Sequence, residues 1–205
     1  MLRFPRRRSH SQSHWWPPVT EEIDRREFRN IVGLFATGVT VVTTRIGADV
    51  HGMTANAFTS LSLDPLLILL CVDRRARLHP LIQQAGSFAV NFLHEGQEAI
   101  SRNFAGQPQE GITDVLHFST DDGAPIILGC LASMRCDVRE VLDGGDHAII
   151  IGHVQELIRG DVGAHPLVYF AGEYRRLLVE PDGGHSAPEP WLDHDVRVYH
   201  EEWHG

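Results

Sequence analysis

Residues 37–62, TGVTVVTTRIGADVHGMTANAFTSLS, form the stretch around which the chain is organised. β-Branched residues dominate Val39–Ile46 and predict a strand, because such side chains suit a pleated, half-buried surface. Residues 47–49 then predict a tight turn. The returning residues 54–62 carry small, hydroxyl and amide side chains, which let a ligand approach the backbone and suit a phosphate or a polar heterocycle edge. Composition alone is equally consistent with a Ser/Thr-rich edge strand and loop.

The rest of the chain predicts many short strands and few helices. An almost unbroken apolar run at 66–72 has strand length and is typical of a strand buried on both faces or lying in a barrel wall. Residues 143–146, Asp-Gly-Gly-Asp, predict a hairpin turn. The pattern indicates a mainly β fold, a closed antiparallel barrel with helical decoration. Further strands are predicted at 87–92, 126–131, 133–142, 147–158, 167–171 and 174–179, helices at 78–85 and 95–104, and a surface excursion at 106–124.

A first helix is predicted to follow Asp24, which has Glu27 three residues later in the pattern of a capping box. We interpret it as a helix that packs on the domain and ends at Thr37-Gly38. Its predicted apolar face consists of Phe28, Ile31, Val32 and Phe35.

A length of 205 residues is that of one ordinary domain, which we place at residues 21–179. Residues 1–20 predict a flexible leader rich in Arg, Ser and His that closes with Trp-Trp-Pro-Pro, and residues 180–205 predict an acidic, His-rich tail. The tail includes His200–His204, HEEWH, a literal match to the zinc-protease pattern H-E-x-x-H. Because the mechanism needs a helix and usually a further ligand downstream, we expect no metal site there.

Composition excludes several classes of protein. The sequence contains no lysine, which excludes a Schiff-base lysine and a Walker-type phosphate loop. The whole protein has a formal net charge of −9. In such an acidic protein the leader arginines predict a solvated segment and no nucleic-acid binding. The longest apolar run falls short of the roughly 18 residues of a membrane span, and no hydrophobic signal core follows the arginines, so we expect a cytoplasmic protein without membrane contact. Three cysteines without a close pair argue against a disulfide framework or a zinc knuckle.

Two polar features interrupt the predicted barrel strands. Arg74, Arg75 and Arg77 follow the apolar run and are a candidate site for a phosphate or pyrophosphate, with a solvated loop as the alternative. Asn91 lies within a predicted strand, where a buried amide needs a hydrogen-bond partner. Cys71, at the end of the apolar run, is expected to be a small buried residue.

Four segments together resemble one known family. They are MTANAFTSLSLDP at 53–65 with the strand and arginines through 77, GSFAVNF at 86–92, GDHAII at 145–150 and PLVYFAGEY at 166–174. In this order they resemble the flavin reductase family with the FMN-binding split-barrel fold, which includes the small reductase components of two-component flavin monooxygenases. The resemblance covers roughly residues 24–178 and implies a Greek-key antiparallel split barrel.

The resemblance also implies a function. It indicates an NAD(P)H-dependent flavin reductase that transfers hydride from NADH or NADPH to FMN or FAD and supplies reduced flavin to a partner monooxygenase. It further implies a homodimer with the flavin near the subunit interface. Two alternatives remain open: a flavoenzyme that retains its flavin and acts directly on a small substrate, and a non-catalytic flavin- or haem-binding module of the same fold.

Site residues follow from the same resemblance. Hydride transfer requires aligned rings and no protein nucleophile, so no catalytic side chain is predicted with certainty and His147 is the one candidate. For Asn91, a flavin edge and a neighbouring turn carbonyl are both candidate partners. Flavin-ring contacts are predicted at Thr54, Ala55 and Asn56, phosphate contacts at Ser60, Leu61 and Ser62, walls of the site at Cys71, Val72, Asp73, Arg77, Asn91 and Phe92, an approach to the ring at Thr37 and Gly38, and nicotinamide contacts at His147 and Tyr174.

Overall fold

The computed structural model describes residues 23–119, 121–160 and 163–177. The helices are α1 (Arg25–Val32), α2 (Leu78–Ala85), α3 (Glu98–Phe104, preceded by a 3-10 turn at Glu95–Gln97) and α4 (Ile112–Val115). The strands are β1 (Thr37–Gly38), β2 (Thr40–Ile46), β3 (Asp49–Ala55), β4 (Phe58–Leu63), β5 (Leu66–Asp73), β6 (Ser87–Phe92), β7 (Ala132–Gly144), β8 (His147–Arg159), β9 (Val168–Phe170) and β10 (Glu173–Arg175). The described chain is therefore mainly β, as predicted.

Seven of the strands form one antiparallel sheet in the order β3-β2-β6-β7-β8-β5-β4. Its two edge strands, β3 and β4, are joined by residues 56 and 57 alone, so the edges approach each other at that point. Each edge strand pairs with a single neighbour, so the barrel is split between them, as the resemblance to the split-barrel fold implied. A smaller sheet, β1-β9-β10, completes the fold beside this split end.

The barrel interior is filled by apolar side chains from both halves of the sheet. Phe88, Leu70 and Ile150 are fully buried there, together with Ile82 from α2. Buried residues alternate along β5 with half-exposed ones, which is the pattern of a barrel wall and not of a strand buried on both faces. Gly152 makes room for the core, because a Cβ there would lie 2.6 Å from Phe88 Cζ.

A second cluster lies between the main sheet, α3 and the small sheet. It contains Val41, Leu93, Ile127 and Leu167, with Tyr174 packed against its edge. This cluster seats the small sheet and α3 against the end of β2 and β3, and so positions the walls of the cavity described below.

Helix α1 is confirmed in part. Asp24 caps it by accepting a hydrogen bond from the Arg26 amide at 2.9 Å, while Glu27 accepts from Asn30 Nδ2 instead of closing a capping box. The helix ends at Val32 with Gly33 as its cap, so Thr37-Gly38 does not end it and forms β1 instead. The predicted packing of its apolar face is wrong for the described chain, since none of its residues is buried.

Other predicted elements are confirmed or corrected by the backbone. Helix α2 with its stop at Gly86, and strands β6, β7 and β8, are confirmed. Residues 126–131 do not form a strand: Ile127 makes one isolated bridge to Phe118 while its amide donates to a side chain. The excursion at 106–124 contains the short helix α4.

Several predictions lie partly or wholly outside the described residues. They are the leader, the tail with its HEEWH motif, and the end of the last predicted strand at 178–179. Within the described ranges, no helix combines the length and apolar character needed to cross a membrane.

Candidate functional site

A cavity of about 580 Å³ opens between the end of β3, helix α3 and the turn between β9 and β10. Its size falls within the range of small-molecule sites, roughly 300–1,000 Å³. The lining residues are Val39, Thr54, Ala55, Asn56, Glu98, Arg102, Ala105, Gln107, Tyr169, Gly172, Glu173 and Tyr174.

Thr54, Ala55 and Asn56, three of the residues predicted to contact a flavin ring, form one wall of this cavity. They stand where β3 ends and the chain turns towards β4, so the ladder stops and Asn56 is exposed. Thr54 Oγ1 donates a hydrogen bond of 2.6 Å to the Ser101 carbonyl, which ties this wall to α3. Small side chains here leave the backbone approachable, as a planar ligand requires.

A second wall is an aromatic and cationic group that the sequence predicted only at Tyr174. The Arg102 guanidinium lies 4.9 Å from the centre of the Tyr174 ring, a cation–π distance. Tyr169 meets the same ring edge-to-face with centroids 5.4 Å apart. The Glu98 carboxylate oxygen Oε1 accepts a hydrogen bond from Arg102 Nε at 2.8 Å and lies 2.7 Å from Arg102 Nη2. The i, i+4 spacing of Glu98 and Arg102 within a predicted helix is the sequence pattern that indicates this ion pair.

A second group of predicted residues lies at the end of β5 and the start of β8. Asp73 and His147 are register partners, and the Cys71 amide donates to the Ala57 carbonyl at 3.1 Å, which brings this strand end beside residues 56–57. His147 Nδ1 lies 2.7 Å from Asp146 Oδ1. That hydrogen bond lowers the pKa of the Asp146 carboxyl. The structure therefore groups Cys71, Asp73 and His147 next to, but outside, the cavity lining. Cys71 is half-exposed, where the sequence predicted burial.

The three arginines after β5 have different surroundings. Arg74 donates to the Gly145 carbonyl at 3.0 Å and pairs with Asp143. Arg75 pairs with Asp73 at 2.7 Å and holds the pKa of that carboxyl well below its usual range. Arg77 is exposed and makes no hydrogen bond or ion pair with the described residues, so it alone of the three has its guanidinium free to meet an anion.

Ser60, Leu61 and Ser62 stand apart from the cavity. They lie along β4, where Ser60 is opposite Ile68 and Ser62 opposite Leu67, so the strand carries them away from the junction at residues 56–57. Ser60 and Leu61 are exposed. The structure does not bring this predicted phosphate segment together with the ring-contact segment in the cavity.

Two predicted wall residues turn their side chains into the core. Val72 belongs to the main apolar cluster with no exposed surface. Asn91 is equally buried, and its amide makes four hydrogen bonds to protein atoms: it donates to the Val41 carbonyl and Thr43 Oγ1, and accepts from the Ile127 amide and Ser133 Oγ. The carbonyl bonded to it belongs to Val41 within strand β2, where the sequence suggested a neighbouring turn carbonyl or a flavin edge. The side-chain amide has no group left for a ligand.

The remaining predicted residues lie near the small sheet and the strand junction. Thr37 and Gly38 pair with Tyr169 and Val168 of β9, and the Thr37 hydroxyl is buried without a hydrogen-bond partner in the described protein. Phe92 is half-buried and packs edge-to-face on Phe58, with ring centroids 5.2 Å apart.

The chemistry available to this site is binding and orientation. The lining contains no serine or cysteine nucleophile, and its two carboxylates are paired, Glu98 with Arg102 and Glu173 with Arg175. Elsewhere in the described protein, burial raises the pKa of Cys130 to about 11 and that of Cys136 to about 12, so these thiols are unreactive near neutral pH. Small polar groups on one wall and edge-to-face tyrosine rings on the other suit planar heterocycles.

Comparisons with known proteins converge on flavin reductases. The family model described as "Flavin reductase like domain" matches residues 32–178, which include all ten strands of the described residues and the whole cavity lining. The reductase component of 4-hydroxyphenylacetate 3-monooxygenase from Thermus thermophilus is 46% identical over 154 residues, covering 75% of this chain and 97% of that protein. The solved structure of the flavin reductase PheA2 in its native state has a TM-score of 0.71 at 41% identity, covering 77% of this chain and 100% of that one. The NADH:FAD oxidoreductase SgcE6 from Streptomyces globisporus, solved with NAD and FAD fragments, has a TM-score of 0.69 at 36% identity, covering 78% of this chain and 96% of that one.

Proposed function

The chain belongs to the flavin reductase like domain family, and we propose that it transfers hydride from NADH to FMN or FAD and delivers the reduced flavin to a separate monooxygenase. One observation carries the proposal: residues 54–56, predicted to contact the flavin ring, line the same cavity as the predicted nicotinamide contact Tyr174. The similarity to a monooxygenase reductase component supports the choice of partner. A cytoplasmic location belongs to the same proposal, because NADH is a cosubstrate of the cell interior.

The residues of the cavity fit the two ligands of this reaction. Thr54 and Asn56 offer polar groups to a heterocycle edge, while Tyr169 and Tyr174 offer apolar ring surface. Bound NADH would supply the hydride, and bound flavin would accept it. The part played by the chain is to hold both rings at a fixed separation and orientation and to exclude water from between them, which is where an enzyme gains rate without a nucleophile.

The test is the flavin dependence of nicotinamide oxidation by the purified protein. We expect rapid loss of NADH absorbance only when FMN or FAD is added, and parallel runs with NADPH and with each flavin name the preferred pair. A yellow protein that oxidises NADH only with some other substrate would favour the flavoenzyme that retains its flavin. A protein that binds flavin and leaves nicotinamide untouched would favour the non-catalytic module.

The proposal includes a homodimer formed through the apolar face of α1. Six large side chains on and beside this helix are at least half exposed: Ile23 (68%), Phe28 (61%), Ile31 (60%), Val32 (53%), Leu34 (62%) and Phe35 (76%). At about 100 Å² of exposed surface each, they supply about 600 Å², close to the roughly 800 Å² per partner of a standard interface. A second copy of this chain is the occupant that the exposed area supports.

The same surface lies next to the cavity. The Ala171 amide donates to the Gly33 carbonyl at 2.7 Å, which ties the end of α1 to the β9–β10 turn that lines the cavity at Gly172. In light scattering we expect the wild type to have the mass of two chains and Phe28→Asp that of one. Leu157→Asp, a control at a position 64% exposed on β8, should remain a dimer. A monomeric wild type, or a Phe28→Asp variant that stays dimeric, contradicts the assignment.

A further inference from the structure

Ser101 on α3 is fully buried, does not line the cavity, and nevertheless bonds to both of its walls. Its carbonyl accepts from Thr54 Oγ1 at 2.6 Å, and its hydroxyl lies 2.8 Å from the Tyr174 hydroxyl. Thr54 comes from the main sheet and Tyr174 from the small one. One hidden residue therefore joins the two sheets at the point where both reach the cavity.

The bond to the Ser101 carbonyl determines how Thr54 can meet a ligand. A threonine hydroxyl has one hydrogen to donate and lone pairs to accept with, and a carbonyl oxygen can only accept. Thr54 must therefore give its one hydrogen to Ser101. The Thr54 oxygen, in a residue that lines the cavity, keeps only its capacity to accept a hydrogen bond.

The second bond determines the direction at Tyr174. Within the described chain, the Ser101 hydroxyl has the Tyr174 hydroxyl as its one partner. If Tyr174 donated, the Ser101 hydrogen would be buried with nothing to accept it, which is unfavourable. Ser101 therefore donates, and Tyr174, which is half-buried on the cavity wall, keeps its own hydrogen free. Tyr174 is a donor towards the cavity.

We infer that Ser101 is a positioning residue that fixes an acceptor at Thr54 and a donor at Tyr174, and so builds a subsite for the planar amide edge of a ligand. An amide edge presents an N–H beside a C=O, the complement of this pair. Two ligands carry such an edge: nicotinamide in its carboxamide and flavin in its pyrimidine ring. The identity of the ligands rests on the proposed function, whereas the polarity of the wall rests on the hydrogen bonds alone.

Titrations without turnover test the inference. Dissociation constants for NAD⁺ and for FAD are measured with the wild type, Ser101→Ala, Tyr174→Phe, the double variant and Ser101→Thr, which keeps the hydroxyl. Thr44→Val is the matched control, because Thr44 is also fully buried and its hydroxyl donates to the Ser87 carbonyl at 2.7 Å, away from the cavity lining. Thermal unfolding of each variant separates a loss of fold from a loss of binding.

We expect Ser101→Ala and Tyr174→Phe each to raise the Kd of one of the two ligands by about three- to tenfold, the value of one hydrogen bond. The double variant should bind no more weakly than Tyr174→Phe, since both changes remove the same bond, and Ser101→Thr should restore binding. A rise for NAD⁺ assigns the subsite to the carboxamide, and a rise for FAD assigns it to the pyrimidine ring. Thr44→Val should lower the Tm and leave both constants unchanged.

Three results would overturn the inference: unchanged constants in Ser101→Ala, equal rises for both ligands, or effects that multiply in the double variant. A wild type that binds both ligands but does not oxidise NADH would refute the proposed reaction and leave the subsite standing. A wild type that binds neither ligand would overturn both.

Discussion

Replacement of Asn91 by leucine is a direct test of how the structure uses a side-chain amide that is fully buried in strand β6. The side chain has no exposed surface and makes four hydrogen bonds of 2.9–3.1 Å, two as donor and two as acceptor. Leucine has the branched shape of asparagine and a larger volume, so the change removes these bonds without opening a cavity. It leaves the Ile127 amide and the Ser133 hydroxyl without their partner in an apolar setting.

The expected loss of stability follows from these four bonds. At about 1 kcal/mol each, the four bonds contribute about 4 kcal/mol to the free energy of unfolding. Because the variant leaves buried polar groups unpaired, we expect it to lose at least this amount. That is a large part of a typical folding free energy of about 5–15 kcal/mol. For a domain of this size, with about 2–4 °C of Tm per kcal/mol, we expect Asn91→Leu to lower the Tm by about 8–16 °C.

Thermal unfolding followed by circular dichroism measures this effect, and Ser133→Ala is its matched control. That control removes one of the four bonds from the other side and should cost about 1 kcal/mol. Below the transition, Asn91→Leu should bind flavin as the wild type does, because the amide offers a ligand no free group. A Tm within about 3 °C of the wild type, together with a tenfold loss of flavin affinity, would show that the amide contacts flavin and that this reasoning is wrong.

Three further predictions concern the site edge, acid stability and the core. His147→Ala should raise the KM for NADH more than the Kd for flavin, and the reverse pattern in steady-state and titration data would place His147 on the flavin side. Because Arg75 lowers the pKa of Asp73 from its ordinary 3.8, the stability from this pair is complete above that pH and is lost as the pH falls below it. The Tm of Asp73→Asn should therefore fall less than that of the wild type between pH 6 and about pH 3, and an equal fall would contradict the pairing. Gly152→Ala should cost about 1–3 kcal/mol in denaturant unfolding, since its Cβ would lie 2.6 Å from Phe88 Cζ, and an unchanged midpoint would show that the ring can move.

Local patterns were sufficient to predict elements whose bonds are local. Helix α2 begins and ends where the sequence predicted, and Gly86, which caps it, has a φ of +70°, which favours a residue without a side chain. The hairpin between β7 and β8 turns at Gly145, with a φ of +79°, for the same reason. Residues 126–131 show the limit: their apolar run resembles a strand, but the Ile127 amide bonds to Asn91, far away in sequence, in place of a ladder partner.

The cavity walls could not be predicted in the same way, because they meet only through tertiary contacts. Ser101 reads as an ordinary helix residue, and its importance comes from bonds to Thr54 and Tyr174, 47 and 73 positions away. The arginines after β5 show the opposite case. The sequence suggested that the three arginines form one candidate anion site. In the structure Arg74 and Arg75 form ion pairs with carboxylates, whereas Arg77 forms none with the described residues.

The split of the barrel explains why two similar segments have different surroundings. Residues 54–56 and 60–62 are alike in composition, small and polar, and the resemblance assigned both to one flavin. They lie on either side of the junction at 56–57, where the chain leaves β3, the edge beside the small sheet, and begins β4, the edge paired with β5. Strand direction then separates them, since β3 ends at the cavity and β4 runs away from it. Of two segments with the same chemistry, the one at the end of a strand, where the ladder stops, is the one that lines the cavity.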